Sequence, residues 1–122
     1  MILVDTAVWV DHLARGDQHL ASRLEAGQVL GHPWVVGEVA LGTLRDRTGV
    51  LGLLRALPSA LVASDEEVLA VVERHRLFGR GIGYVDAGLL ASTLLTPDAE
   101  LWTRDRRLRR AAEVVGVDHA AT

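Results

Sequence analysis

The chain has 122 residues, with no cysteine and no lysine, so all 13 basic residues are arginine; 16 acids bring the formal charge to −3. An apolar fraction of 49% excludes a disordered chain, and the lack of cysteine excludes disulfides, thiolate zinc sites and thiol nucleophiles together. The longest apolar stretch, "VLGLLRALPSALVA", is interrupted by Arg55 and Pro58 and is too short to span a bilayer; with no basic leader at the start, one cytoplasmic domain over residues 1–122 is expected.

Ile2 to Val4 reads as a short buried strand. "TAVWVDHLA" carries apolar residues at helical spacing, and "DQHLASRLEAG" reads as a second helix stopped by Gly27. "QVLGH" is a second strand. His32 and Pro33 then suit the N-cap and first position of a helix expected to run to about Arg45. "GVLGLLRAL" reads as a helix ended by Pro58, "ALVA" as a third strand, and Ser64 as the cap of "EEVLAVVERHRL". After the glycine-rich "FGRGIG" come the helix "YVDAGLLASTLL", a fourth strand "ELWT", the helix "DRRLRRAAE" and an edge strand "VVGV". Strands alternating with helices imply an α/β sandwich whose sheet is mostly parallel, with four to five short strands. In such sheets the site lies at the carboxyl ends of the strands.

Four acids stand out against that pattern. Asp5 ends the first strand and Asp105 closely follows the fourth. Either could simply cap the helix that begins there. Glu38 interrupts an apolar stripe formed by Trp34, Val35 and Leu41, where a solvated glutamate is out of place. Asp86 does the same among Ile82, Leu89 and Leu90, although a first-turn acid also complements the helix dipole. Convergence of all four at one sheet edge would be costly without a cation: two like charges about 4 Å apart repel by roughly 4 kcal/mol at an effective dielectric near 20. All-oxygen ligation favours Mg²⁺ or Mn²⁺. The net negative charge argues against a nucleic-acid partner only until four acids are assigned to a metal, which leaves 12 acids against 13 arginines.

"ILVDTAVWVDHL", "HPWVVGEVALG", "GIGYVDAGLLAS" and "LWTRDRRL" resemble the four motifs of PIN-domain ribonucleases, above all the VapC toxins of bacterial type II toxin–antitoxin pairs. The resemblance spans nearly the whole chain and implies a three-layer PIN-like sandwich. It places the acidic quartet on Asp5, Glu38, Asp86 and Asp105, with Thr6 and Thr103 as supporting hydroxyls. It further implies metal-dependent hydrolysis of RNA by water, leaving 5′-phosphate and 3′-hydroxyl ends. Asp5 and Asp86 would be direct ligands of Mg²⁺ or Mn²⁺, and Glu38 and Asp105 would hold metal-bound waters or a second ion. Arg104, Arg106 and Arg107 could contact phosphates or form a solvated helix face. The implied partners are a cognate antitoxin and a second copy of the toxin. Exposed apolar residues near the first helices and the Trp34 helix are expected to form those surfaces.

Other chemistries fit less well. A haloacid-dehalogenase-type phosphatase needs an acid where Ala7 stands, and a receiver domain needs a lysine. The five histidines form no H-x-x-x-H pair, and "FGRGIG" follows a helix and lacks the lysine of a phosphate-binding loop. Trp9, Trp34 and Phe78 read as core or interface residues rather than base-stacking platforms. The alternative from another class is a catalytically silent PIN-like module that binds RNA or protein.

Overall fold

Three consecutive apolar residues that are buried on both faces form β1 (Ile2–Val4), the middle strand of a parallel sheet. The structure is a computed structural model, and it describes residues 1–120. β2 (Val29–Leu30) and β3 (Glu100–Trp102) flank β1, with Leu3 opposite Leu30 on one side and Leu101 on the other. Single parallel bridges extend both edges, Gly31 to Ser59 beyond β2 and Asp118 to Leu101 beyond β3. The third strand expected at "ALVA" and the edge strand at "VVGV" are therefore each reduced to a bridge beside the segment named. Both still occupy the outer positions of a five-position parallel sheet. Parallel pairing requires crossovers, and these cover the sheet with helices, so apart from the exposed Glu100 at the start of β3 its strands are apolar without alternation.

Two helices, α1 (Thr6–Arg15) and α2 (Gln18–Glu25), connect β1 to β2. Asp17 caps α2 by accepting the Leu20 N–H at 3.0 Å. Between β2 and β3 lie α3 (Pro33–Ala40), α4 (Arg47–Ala56), α5 (Asp65–Arg74) and α6 (Tyr84–Leu95). α7 (Arg106–Val115) follows β3 and ends at Gly116 in the left-handed region.

α3 is shorter than the sequence pattern suggests. It stops at Ala40 rather than near Arg45, with the Gly42 N–H closing back on the Val39 carbonyl. Gly42 and Thr43 are weak helix formers, and Asp46 then starts α4 by accepting the Gly49 N–H. Leu57 takes an extended conformation before Pro58, which ends α4 as expected. Ser64 and Glu67 form a reciprocal capping box on α5.

The core joins the strands to Val8 and Trp9 of α1, Leu20 of α2, Leu89 and Leu90 of α6, and Leu108 of α7. Trp9 thus belongs to the core, while Phe78 is exposed. Among the described residues, no helix is long and apolar enough to cross a membrane.

Candidate active site

Asp5 leaves β1 at its carboxyl end and caps α1, accepting the Thr6 N–H on Oδ1 at 2.8 Å. Its backbone N–H donates to the Trp102 carbonyl at 2.9 Å, so the sheet continues up to the acid itself. Thr103, directly after β3, donates its hydroxyl to Asp5 Oδ2 at 2.7 Å. The same hydroxyl accepts the Asp105 N–H at 3.1 Å, and Asp105 caps α7 by accepting the Leu108 N–H at 2.9 Å. Capping and charge are thus combined in the same carboxylates; the two readings of Asp5 and Asp105 do not compete.

Glu38 comes from α3. Thr6 Oγ1 donates to its Oε1 at 2.6 Å, which joins Glu38 to Asp5 through adjacent residues of one turn. Glu38 is exposed rather than turned into the core. The apolar stripe around it was misleading because part of that stripe is itself at the surface: Leu41 is 89% exposed. Asp86 stands in the first turn of α6, half-buried, and accepts the Gly83 N–H at 3.3 Å.

The four carboxylates share one electrostatic field. Burial raises Asp5 above the usual carboxylate range, the Thr103 and Thr6 donors oppose the rise, and the charges of Glu38 and Asp105 add to it. Burial likewise raises Asp86, and the negative charges of Asp5, Asp105 and Glu38 all push in the same direction. Among the described residues, no three His, Asp or Glu side chains stand close enough to form a ready-made cation site. The acids are linked by field and by two hydroxyls, Thr6 and Thr103, rather than by a closed ligand shell. Their chemistry, carboxylate oxygen with hydroxyl support and no sulfur or imidazole, suits a hard divalent cation.

The three arginines named as possible phosphate contacts or a solvated helix face fall into two groups. Arg104 is already committed. It donates to Asp11 Oδ2 and, at 2.7 Å, to Asp17 Oδ2, with its guanidinium 5.7 Å from the centre of the Trp102 ring. It ties the turn after β3 to α1 and α2, and its charge is answered within the protein. Arg106 and Arg107 are exposed and form no ion pair among the described residues. They line an open groove on α7 with Arg109 and Arg110. Arg107 also lies over Gly81, where an added Cβ would come within 2.7 Å of its Nη1.

Two aromatic residues stand on the acid-bearing helices. Trp34, one turn before Glu38, lies against Gly88 of α6, where a Cβ would sit 2.1 Å from the ring carbon Cζ3. A mid-helix glycine costs about 1 kcal/mol relative to alanine, and here it makes room for an indole. The Trp34 and Tyr84 rings are 6.3 Å apart, tilted by 38°.

Two features had no sequence signal. His19 Nε2 lies 2.9 Å from His119 Nε2, whose other ring nitrogen meets Glu100, and the two histidines are 100 residues apart. Asp11 and Asp17 likewise meet Arg104 from far along the chain.

The chain matches the PIN domain family over residues 2–114. It is also 48% identical over 117 residues to Ribonuclease VapC32 of Mycobacterium tuberculosis, in two strains, with 96% of this chain and 94% of that protein covered.

Proposed function

The chain belongs to the PIN domain family, and from that premise we propose that it is a divalent-metal-dependent endoribonuclease and the toxin of a type II toxin–antitoxin pair. The observation that carries this reading is the linkage of Asp5 to Asp105 through the Thr103 hydroxyl and of Glu38 to the same turn through Thr6, at the carboxyl edge of the sheet. The ribonuclease name of a relative that is 48% identical over nearly the full length supports the reaction class.

Asp5 and Asp86 would hold Mg²⁺ or Mn²⁺ directly, and Glu38 and Asp105 would hold its waters or a second ion. When bound, such ions supply a water of lowered pKa and neutralise charge building on the phosphate. Thr103 and Thr6 would fix the direction of the Asp5 and Glu38 carboxylates, an orienting role that hydroxyls perform well beside ligands. Arg106 and Arg107, exposed and without an ion pair among the described residues, would meet the RNA backbone. Cleavage would leave 5′-phosphate and 3′-hydroxyl ends.

Two protein partners belong to the same proposal, an antitoxin and a second copy of the chain, with the whole chain working in the cytoplasm as one domain. The surface between α1, α3 and α4 suits them. A groove there is lined by Val10, Leu13, Val39 and Val50 together with Glu38, Arg45 and Asp46, and Leu41 is exposed on α3. Exposed apolar residues rimmed by charge are a common mark of interaction sites.

The test compares wild type and Asp5→Asn on labelled single-stranded RNA, with Mn²⁺ or with EDTA. Cleavage that needs both the metal and Asp5 is the expected result. No cleavage together with no Mn²⁺ binding by calorimetry would replace this reading with a silent PIN-like binding module.

A further inference from the structure

The acids can perform the chemistry, but they do not hold a base, and RNA strands are held partly by their bases. We propose that Trp34 and Tyr84 form a stacking platform for one unpaired nucleobase of the RNA, with Arg107 beside Gly81 taking an adjoining phosphate. This inference rests on the nuclease reading and names the residues that would hold an unpaired base beside the acids.

Three observations converge on these residues. First, each ring stands on a helix that carries a site acid. Trp34 and Glu38 lie one turn apart on the same face of α3, and Tyr84 opens α6 two residues before Asp86. Second, the rings are held but not covered. Trp34 is seated on Gly88 and remains half-buried; Tyr84 is 46% exposed, and its hydroxyl donates to Asp65 at the start of α5. The tyrosine ring is therefore fixed by its outer end while its surface is open. Third, a cation packs on the loop that leads into Tyr84: the Arg107 side chain lies over Gly81, three residues before Tyr84, and Arg80 is in the same loop.

Aromatic rings with adjacent cations are the standard means of holding a single strand, because every base has a face to stack and every linkage a charge. A base within a duplex offers neither face, so double-stranded RNA is excluded from such a platform. A hydrophobic side chain from a protein partner could also lie on the rings, but it would not use the cations.

Tryptophan emission reads this surface directly. Trp9 and Trp102 are each 1% exposed, so contact with a base is open to Trp34 alone, and the Trp34→Leu protein gives the background of the other two. In the Asp5→Asn protein with Mn²⁺, which leaves the RNA uncut, a mixed-sequence single-stranded oligoribonucleotide should quench emission. The same sequence as a duplex, or an oligonucleotide stripped of its bases, should not. Trp34→Leu should abolish the quench. In the cleaving protein, Tyr84→Ala should raise KM roughly tenfold with kcat changed less than about twofold. Tyr84→Phe, which keeps the ring and loses the Asp65 bond, should stay close to wild type; a loss equal to that of Tyr84→Ala would make the residue a structural support and overturn the platform. Cleavage by wild type with no quench and an unchanged KM in Tyr84→Ala would overturn the platform and leave the nuclease standing. Quench without cleavage of any RNA would overturn the nuclease and leave a base-binding surface. If Trp34→Leu unfolds, Trp34→Phe takes its place, and a KM raised as far as in Tyr84→Ala would count against stacking by the ring.

Discussion

The Thr103 hydroxyl donates to Asp5 Oδ2 at 2.7 Å while accepting the Asp105 N–H at 3.1 Å, so one side chain connects the first and last acids of the site. Thr103→Val keeps the shape and removes both bonds. A buried carboxylate and a backbone N–H each lose a partner, which costs about 1–3 kcal/mol. RNA cleavage should fall at least tenfold, and Thr103→Ser should recover most of it. Denaturant unfolding and steady-state cleavage check the two effects; an active, fully stable Thr103→Val would remove the hydroxyl from the site.

Asp5 itself should weaken the metal-free protein. Its folded pKa lies above the ordinary value of 3.8, chiefly through burial and then through Glu38 and Asp105. A folded state that holds its proton more tightly is favoured below the unfolded pKa, and that advantage is lost as pH rises through the folded one. Above both values the charge is a constant burden. In EDTA, Asp5→Asn should therefore match or exceed wild type in melting temperature at pH 7, with the gap closing toward pH 4. Mn²⁺ at one hundred times its Kd should stabilise wild type by about 2.7 kcal/mol and Asp5→Asn by little or nothing.

His32 gives the opposite slope. It is buried after β2, caps α3 by accepting the Trp34 N–H on Nδ1 at 3.1 Å, and meets Ser92 Oγ through Nε2 at 3.0 Å. Burial lowers its pKa below the ordinary 6.5. The unfolded chain then binds the proton first, so stability falls as pH drops below about 6.5 and levels off beneath the folded pKa. His32→Asn retains a capping oxygen without the titration. Melting temperatures of the two proteins from pH 7.5 to 5 should converge, or cross, on the acid side; a constant gap would mean that His32 is not the titrating group.

Arg104 should act on the turn that it anchors and not on RNA. Arg104→Gln leaves Asp17 without its cation and Asp11 with Arg15 alone, and frees the segment carrying Thr103 and Asp105. The expected loss is severalfold in kcat with KM nearly unchanged. Asp11→Asn with Asp17→Asn should reproduce it, and adding Arg104→Gln to that pair should do little more. A raised KM in Arg104→Gln alone would return the residue to phosphate binding.

Local pattern revealed the local features of this molecule. Pro33, Ser64, Asp5 and Asp105 mark helix starts through interactions within four residues, and the alternation of strands and helices follows from burial on both faces of the sheet. Glu38 and Asp86 were legible as acids on apolar stripes, although Glu38 proved exposed because Leu41 beside it is exposed too. The end of α3 was misplaced because apolar spacing continued past Ala40 while the backbone preference did not. Arg104 was read as free because its partners lie 93 and 87 residues away, and no helical or strand period reaches that far.

The pairing of β1 with β3 joins Leu3 to Leu101, and it is this pairing that brings Thr103 to Asp5. Contacts of such long sequence separation form late, after the loop between them has closed. Asp5 is made early by the ribosome and cannot meet Thr103 until nearly the whole sequence has emerged. A nascent chain therefore carries Asp5 and Glu38 before Asp105 can join them, and the link from Asp5 through Thr103 to Asp105 exists only once β3 has docked on β1.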